Sequence, residues 1–449
     1  MHIHCLGIGG IGVSAIAQIL YERGESVTGS DIEASAITEH LQKRGIPVDI
    51  GYEVESIAKQ NPDLIIHSLA LEKNHPALKL ARRKKIPLLS YPEAVGKLTR
   101  EFFTIAICGT HGKSTITALI SKMLIENNFD PTVIVGTKLK ELNGQNYRVG
   151  KSKILVLEAC EYKRAFLNYH PRVIVLHTLD PDHLDYYRDF NDYLHAFGEF
   201  AMRLPNDGYF FANLDDEDVH QTLQLLQAKK FPPHNLFTYS SRYASSDFYL
   251  MGEKIIQRNA RVGELHLKIP GEHNRSNALA AFAVGATLGI APPDILKSLN
   301  HYEGALRRFE VKGKFGKTLF IDDYAHHPVE IQATLQAARE RFPKEKICVV
   351  FQPHQYNRTK NLLKEFAASF EKADSVIIPN IYEVRDRKED TAAVSTEKLV
   401  KEIRKRHRHV ENGNGLEKTA EWLKKHAKKF DVVFTMGAGD VWKIAEKLL

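Results

Sequence analysis

The stretch Ile105-Ala-Ile-Cys-Gly-Thr-His-Gly-Lys-Ser-Thr115 decides the fold of the central part of this chain. It begins within an apolar run, Phe103 to Cys108, and passes through a glycine-rich turn into residues whose apolar members recur at helical spacing. A strand, such a turn and an amphipathic helix in this order are the context of a phosphate-binding loop, because backbone N–H groups at the helix N-terminus surround phosphate oxygens. Lys113 adds a cation for the outer phosphates, and Ser114 adds a hydroxyl for Mg²⁺. The residues expected to bind a nucleoside triphosphate here are Gly109, Thr110, His111, Gly112, Lys113, Ser114 and Thr115.

A second glycine-rich turn lies at the start of the chain. The strand-like residues 1–6 run into Gly7-Ile-Gly-Gly-Ile-Gly12, and Asp31 follows the last glycine by 19 residues. This spacing is the dinucleotide fingerprint, with the acidic residue placed for a ribose hydroxyl, and alone it would suggest an NAD-dependent dehydrogenase. The same geometry binds any diphosphate, including that of a nucleotide-sugar. Because the chain also has a phosphate loop, we expect a diphosphate substrate in the first site and ATP in the second.

Length and composition are those of a globular enzyme of several domains. The chain of 449 residues is too long for a single core and suggests two or three domains. Hydrophobic residues make up 43% and charged residues 26%, and the net charge of +7 suits anionic substrates such as nucleotides and carboxylates. Two basic runs, Arg82–Lys85 and Lys401–Arg408, are typical of solvated helix faces, so no nucleic-acid partner is expected.

The cysteines and apolar runs predict a cytoplasmic protein. The four cysteines are scattered without a C-x-x-C pair, which favours buried thiols over disulfides or zinc. The first residues lack the basic region of a signal peptide. The longest mildly apolar run, residues 278–291, is too short to span a bilayer, so membrane insertion is not expected.

The alternation of strands and helices predicts an α/β fold of three domains. Residues 1–99 form a Rossmann-like, UDP-sugar-binding domain, with strands near 2–6, 26–30, 63–67 and 86–89; Ser68 follows the third of these at a ligand-binding edge. Residues 100–304 form a central P-loop ATPase-like domain, and residues 305–449 a C-terminal Rossmann-like domain. The strands expected in the second and third domains lie at 154–157, 173–177, 209–212, 318–321, 347–351, 375–379 and 432–436.

Polar residues at the ends of these strands carry the expected chemistry. Glu158 ends one apolar run of the central domain, and Asp182-His183 follows the next. Since Mg²⁺ prefers carboxylate and hydroxyl oxygens together with phosphates, Ser114 and Glu158 are plausible ligands. In the third region, two strand ends carry tyrosine, histidine and arginine, at Tyr324 to His326 and at His354 to Arg358.

Taken together, these motifs resemble those of the Mur ligases of peptidoglycan synthesis. Each motif is short, but nine occur in order from Gly7 to Gly439. The motifs are Gly7–Gly12, Gly109–Ser114, Glu158–Glu161, Asp182–Asp185, Gly271–Ala278, Arg307–Phe309, Asp322–Pro328, Phe351–His354 with Arg358–Thr359, and Gly437–Gly439.

The resemblance implies an ATP-dependent amide ligase that works through an acyl phosphate. Its first domain would bind the UDP-sugar through Gly9, Gly10, Ile11, Gly12, Asp31 and Ser68. Its central domain would bind ATP and two Mg²⁺ ions, with Ser114 and Glu158 on the first ion and His183 on the second. Further nucleotide contacts would come from His273, Asn274, Asn277, Arg308 and Asp323, and the amino-acid site from Tyr324, His326, His354 and Arg358. The residues expected to be catalytic are Lys113, His183, Arg308 and His326.

Within the family, the motifs are most similar to those of the member that joins L-alanine to UDP-N-acetylmuramate. The runner-up is the member that attaches a recycled tripeptide to the same acceptor, whose opening residues also look like Met1-His-Ile-His. Gln355 departs from the pattern, since many relatives have arginine there, and a contact to the amino-acid carboxylate is then missing or bridged by water. A non-catalytic ATP-binding module would leave Glu158 and His183 unexplained. We expect a monomer or a weak dimer that acts on small molecules.

Overall fold

The computed structural model describes residues 1–51, 54, 57, 60–183, 185–228, 235–384 and 386–449. These residues form two compact units. Unit 1 comprises Met1–His266 and Asn277–His301, and unit 2 comprises Leu267–Ser276 and Tyr302–Leu449. Each sheet of the described residues is flanked by helices, so the predicted α/β class with three sheet-containing parts is confirmed.

The first sheet of unit 1 is parallel and has the order β3-β2-β1-β4-β5. Its strands are His2–Leu6 (β1), Ser26–Asp31 (β2), Val48–Ile50 (β3), Leu64–His67 (β4) and Leu88–Ser90 (β5). The helices of this part are Ile11–Glu22 (α1), Ala36–Lys43 (α2), Pro76–Arg83 (α3) and Tyr91–Thr99 (α4). After β1, the chain forms β2 and β3 on one side of β1 and then crosses over to form β4 and β5 on the other side. The carboxyl ends of β1 and β4 therefore frame the crevice in which open α/β sheets bind ligands.

The second sheet of unit 1 has ten strands in the order β15-β14-β13-β12-β11-β10-β6-β9-β7-β8. Its strands are Phe103–Cys108 (β6), Thr132–Leu139 (β7), Gln145–Arg148 (β8), Ile154–Glu158 (β9), Val173–Leu176 (β10), Tyr209–Asn213 (β11), Leu236–Ser240 (β12), Phe248–Met251 (β13), Lys254–Gln257 (β14) and Ala260–Glu264 (β15). The helices between residues 100 and 301 are Lys113–Glu126 (α5), Phe190–Ala201 (α6), Glu217–Ala228 (α7), Glu272–Thr287 (α8) and Pro292–Asn300 (α9). Strand β6 pairs in parallel with β9 and β10, so the carboxyl ends of all three meet at one edge.

The sheet of unit 2 has the order β16-β17-β21-β18-β19-β20, and only β16 of these strands pairs antiparallel. Its strands are Glu310–Phe315 (β16), Thr318–Asp323 (β17), Ile347–Phe351 (β18), Ser375–Ile378 (β19), Val410–Asn412 (β20) and Val432–Met436 (β21). Its helices are Pro328–Arg341 (α10), Tyr356–Asn361 (α11), Leu363–Ala368 (α12), Lys388–Ala393 (α13), Thr396–Arg404 (α14), Leu416–His426 (α15) and Lys443–Leu448 (α16).

One apolar core joins the first two sheets. It runs from Ile3 and Ile16 under the first sheet through Leu98 to Phe166 and Phe200 beside the second. Since burial of such side chains is the main favourable contribution to folding, the two sheets are held together as one unit. The division into three domains at residues 99 and 304 stays a prediction.

Three of the four cysteines are buried free thiols, as the sequence predicts. Cys5, Cys108 and Cys348 lie buried in strands as free thiols, whereas Cys160 is exposed. The expectation of a buried thiol was wrong for Cys160, because this residue lies in the loop after β9 rather than within the strand. None of the helices in the described part of the chain has the length and apolar character needed to cross a membrane.

Candidate active site

The phosphate loop lies at the edge where β6, β9 and β10 end. Gly109 and Gly112 both have positive φ, at 132° and 78°. A Cβ atom on Gly112 would lie 2.4 Å from the Asn277 side-chain oxygen, and one on Gly109 would lie 2.8 Å from the Thr178 carbonyl oxygen. The sequence therefore needs glycine at both positions, for its backbone conformation and for space. The same contact places Asn277, a predicted nucleotide residue, against the loop.

Lys113 begins helix α5 and points back over the loop. Its ammonium donates to the carbonyl oxygens of Gly109 and Thr110, at 2.6 and 3.0 Å, and pairs with the carboxylate of Glu161 at 3.1 Å. Burial alone would lower the pKa of Lys113, but the nearby Glu161 carboxylate outweighs burial and raises the pKa. The lysine therefore stays charged and is held where phosphate oxygens would meet the loop.

Ser114 and Glu158 form the second contact at this edge. The Ser114 hydroxyl donates to the Glu158 carboxylate at 2.9 Å, and the Gly136 amide donates to the same carboxylate oxygen at 2.8 Å. A hydroxyl and a carboxylate beside a phosphate loop are the protein ligands that Mg²⁺ commonly takes, with phosphates and waters completing its octahedron. The donor set of this chain therefore fits the ion that the sequence predicted.

His183 also lies beside Glu161, the partner of Lys113. Its Nε2 atom is 3.7 Å from Glu161 Oε1 and 3.9 Å from Asp182 Oδ2, and its ring lies 4.8 Å from that of Tyr162. His183 has a φ of 53°, a conformation that is uncommon for a residue with a side chain. Unit 1 thus brings Lys113 of the phosphate loop and His183 together at Glu161, and it places Glu158 against the neighbouring Ser114. The sequence analysis included Glu161 in a motif but assigned it no role.

Two other predicted nucleotide residues of the loop contact Asp180, in the loop that follows β10. The Nε2 atom of His111 lies 3.0 Å from Asp180 Oδ2, and the Thr110 hydroxyl accepts from the Asp180 amide at 2.8 Å. Thr115 is buried in the first turn of α5. His273 and Asn274 belong to unit 2, where Asn274 donates to the Pro270 carbonyl oxygen at 2.7 Å.

The first glycine-rich turn follows β1 at the crevice of the first sheet. Gly7 has a φ of 73°, and a Cβ atom there would lie 2.9 Å from the Cβ of Ser68, which follows β4. The Gly9 amide donates to Asp31 Oδ2 at 2.7 Å, and the Ile32 amide donates to the other oxygen at 2.8 Å. Asp31 therefore holds the turn in place through backbone contacts. Gly10 caps α1, and Ile11 and Gly12 begin that helix.

In unit 2, Asp323 lies at the carboxyl end of β17. It accepts hydrogen bonds from the Phe309 and Ala325 amides at 2.7 and 2.8 Å. Burial raises the pKa of Asp323 to about 6, although Arg308 opposes the shift. The guanidinium of Arg308 lies over the Tyr324 ring at 5.2 Å. Asp323 thus fixes the segment that presents Arg308.

The remaining residues predicted for the amino-acid site lie together at the ends of β17 and β18. The rings of His326 and His354 are 6.1 Å apart, and His354 stacks on Tyr382 at 5.5 Å. Arg358 donates to the His354 carbonyl oxygen at 3.3 Å, and His326 Nδ1 lies 3.1 Å from Glu330 Oε2. The sequence analysis missed Tyr382 and Glu330. Glu330 was detectable, because it stands at the capping-box position of the helix that begins at Pro328.

Three family models match the chain in order. They are the Mur ligase family, catalytic domain, at residues 2–103, the Mur ligase middle domain at 107–285, and the Mur ligase, glutamate ligase domain, at 307–439. A UDP-N-acetylmuramate–L-alanine ligase of Alkaliphilus metalliredigens is 40% identical, over 100% of this chain and 97% of the relative. The chain belongs to the Mur ligase family. Mur ligases are ATP-dependent and form amide bonds, which confirms the predicted class of enzyme.

Another relative and one solved structure also support membership of the Mur ligase family, and a second solved structure shares its fold. The UDP-N-acetylmuramate–L-alanine ligase of Acetivibrio thermocellus is 38% identical, over 100% of this chain and 95% of the relative. Among solved structures, the UDP-N-acetylmuramate-alanine ligase of Thermotoga maritima matches with a TM-score of 0.82 and 28% identity, over 100% of this chain and 98% of that one. A murein peptide ligase of Psychrobacter arcticus has a TM-score of 0.74 at 22% identity, covering 100% and 98%, and shows the shared fold.

Proposed function

We propose that this Mur ligase uses ATP to join L-alanine to the carboxylate of UDP-N-acetylmuramate. The observation that carries the proposal is the cluster of Lys113, Ser114, Glu158 and Glu161, which lies in the same compact unit as a second, diphosphate-type glycine turn. Curated relatives that are 36–40% identical over nearly the whole chain carry the name of this activity. Family membership favours this interpretation over an NAD-dependent dehydrogenase.

ATP would bind with its outer phosphates at the loop after β6. Lys113 would exchange the Gly109 and Thr110 carbonyl oxygens for phosphate oxygens while Glu161 keeps its ammonium in place. Ser114 and Glu158 would hold one Mg²⁺ ion, and His183 would contribute to a second. When bound, these ions neutralise the charge on the crowded oxygens.

The proposed reaction has two steps. A carboxylate oxygen of the acceptor attacks the γ-phosphorus, the bond from that phosphorus to ADP breaks, and an acyl phosphate forms. The amine of L-alanine then attacks the acyl carbon, phosphate leaves, and the nitrogen gives up a proton. Lys113 would stabilise the charge that develops in the first step. His326, oriented by Glu330, is our candidate for the proton acceptor in the second.

The amino acid would bind to unit 2. Arg358 is the candidate partner of its carboxylate, because a guanidinium pairs with a carboxylate through two parallel hydrogen bonds. Tyr324 and His354 would form the walls around the side chain, and Arg308 and Asp323 would serve the nucleotide. Gln355 donates weakly to the Val384 carbonyl oxygen, at 3.5 Å, and adds no charge.

Phosphate release tests the proposal. With ATP, Mg²⁺ and UDP-N-acetylmuramate present, we expect release to depend on L-alanine, with Gly and L-Ser as weaker substrates. A pocket for one methyl group separates such neighbours by only about 1–3 kcal/mol. A preference for the tripeptide L-alanyl-γ-D-glutamyl-meso-diaminopimelate would replace the proposal with the runner-up. Calorimetric titrations with NAD and UDP-N-acetylmuramate identify the ligand of the first glycine turn, and tight NAD binding without a response to the UDP-sugar would overturn the ligase interpretation.

A further inference from the structure

The segment after β9 touches both predicted ligand sites of unit 1. At its start, Glu161 pairs with Lys113 of the phosphate loop at 3.1 Å. Two residues later, the ammonium of Lys163 donates to the Leu69 carbonyl oxygen at 3.1 Å. Leu69 follows Ser68 at the carboxyl end of β4, where the crevice of the first sheet opens. Lys163 therefore lies between the place expected for ATP and the place expected for the UDP-sugar.

The backbone around Lys163 is held in an uncommon conformation. Lys163 and Arg164 have φ angles of 51° and 55° and interrupt a short 3₁₀ helix. Arg164 is anchored by the carboxylates of Asp192 and Glu199, at 2.8 and 3.2 Å. Such conformations cost free energy and persist where the surroundings enforce them. The ion pairs of Arg164 thus hold the backbone in this conformation and fix the direction in which the Lys163 side chain projects.

The side chain of Lys163 is exposed to solvent. Among the residues that the structure describes, no carboxylate lies within 4 Å of the Lys163 ammonium, which instead lies 5.5 Å from the ring centroid of Tyr162. Its hydrogen-bond acceptor is a neutral carbonyl group. An oriented cation that keeps a neutral partner can accept an anionic ligand without first breaking an ion pair.

We propose that Lys163 binds the carboxylate of the acceptor and guides it to the γ-phosphate; this inference rests on the proposed function. The acceptor carries two anionic groups, and the first glycine turn is suited to the diphosphate, which leaves the carboxylate for Lys163. That carboxylate must approach both the γ-phosphate and the Glu161 side of the phosphate loop. Since like charges repel strongly at short range, a cation between the two sites lowers the electrostatic cost of the approach.

Direct binding tests the role of Lys163 without requiring turnover. Calorimetry compares the binding of UDP-N-acetylmuramate with that of UDP-N-acetylglucosamine, which has the same diphosphate but lacks the carboxylate. For Lys163→Ala, we expect the first ligand to bind about tenfold to a hundredfold more weakly and the second to bind as in the wild type. Lys163→Arg should recover most of the affinity. Lys153→Ala is the matched control, because Lys153 also lies over an aromatic ring, Phe102 at 5.6 Å, but contacts neither site.

Other calorimetric results would contradict the proposed role of Lys163, and each is distinguishable from the expected one. Equal weakening of both UDP-sugars would assign Lys163 to the diphosphate and overturn the inference, as would unchanged binding of both. A parallel loss of ATP affinity would mean that the variant disturbs the loop structure, which also contradicts a specific carboxylate contact. If the wild-type protein binds no UDP-N-acetylmuramate at all, the proposed function itself fails, and that result is recognisable before any variant is made.

Discussion

At the scale of single residues, the contacts of Lys113 hold its charge in the position that phosphate binding requires. Its side chain is only 13% exposed, a position that is unfavourable for an isolated charge, and the Glu161 carboxylate together with two carbonyl oxygens stabilises the ammonium there. A lysine kept charged and oriented in this way needs little rearrangement when phosphate oxygens arrive, so its contribution to catalysis is preorganised.

Replacing Lys113 with alanine should abolish most of the ligase activity. Loss of one preorganised charge at a phosphoryl group costs about 3 kcal/mol or more in the transition state, or roughly a hundredfold in kcat. Phosphate release under saturating ATP measures the effect. Lys122→Ala, on the same helix and paired with Glu126, should retain activity, and Lys113→Ala should still bind UDP-N-acetylmuramate. Ligation at the wild-type rate would remove Lys113 from the mechanism.

His4 of β1 should make the first sheet sensitive to acid. Its ring is buried between the hydroxyl groups of Thr28 and Ser30, at 2.9 and 3.3 Å. Burial lowers the pKa of His4 from 6.5 to about 4, although Asp49 opposes the shift. Because the folded state prefers the neutral ring, the stabilisation is complete above pH 6.5 and is lost as the pH falls towards 4.

Between pH 7 and pH 5, the wild-type first sheet should therefore lose about 2 kcal/mol relative to His4→Gln, which cannot titrate in this range. Hydrogen exchange of the amides in β1 and β2, corrected for the intrinsic effect of pH, measures this local stability. The same pH dependence in both proteins would show that His4 does not contribute.

At the scale of elements, the sequence predicted the strands that carry chemistry better than those that complete the sheets. Residues 347–351 and 432–436 have the expected bounds, because buried parallel strands read as continuous apolar runs. Glu158, at the end of β9, contacts Ser114 of the phosphate loop, whereas His183, after β10, lies beside Glu161. The sequence analysis did not foresee edge strands such as β3, β8 and β15, which are short and rich in polar residues and have no clear alternation.

The side-chain partners at the site were less predictable for a physical reason. Glu161 and Tyr382 act through contacts with Lys113 and His354 on other elements, and no spacing along the chain encodes these contacts. The turn between β14 and β15 was also difficult to predict from the sequence. It uses Arg258 and Asn259 with φ angles of 50° and 65°, where the usual signal would be Asn-Gly or Asp-Gly.

The β7–β8 hairpin should support the UDP-sugar turn. The Asn146 side chain of β8 donates to the Ile11 carbonyl oxygen at 2.6 Å, and the next residue, Tyr147, donates to Glu22 at 2.7 Å, at the other end of α1. For Asn146→Ala, we expect a loss of about 1–3 kcal/mol of stability and weaker binding of UDP-N-acetylmuramate. Tyr147→Phe should lower stability without changing the affinity. Thermal unfolding and calorimetry measure the two effects, and equal affinities in both variants would contradict the proposed link.

At the scale of the whole molecule, the predicted ligands divide between the compact units. The residues expected to hold the UDP-sugar lie in unit 1, together with the phosphate loop and the predicted metal ligands. The residues expected to hold the amino acid lie in unit 2, around Arg358 and His354. Each unit has its own sheet edges and core, so a substitution in one binding site can leave ligand binding to the other unit intact.

Arg358→Lys tests this division. Lysine keeps the charge but loses the planar fork that can grip a carboxylate with two hydrogen bonds, so the KM for L-alanine should rise about tenfold or more. The calorimetric affinity for UDP-N-acetylmuramate should remain that of the wild type, and the KM for ATP should change little. Lys360→Ala is the control on the same short helix, where Lys360 pairs with Asp390 at 2.7 Å. If the KM values of all three substrates rose together in Arg358→Lys, the arginine would support the fold of unit 2 instead of binding the amino acid.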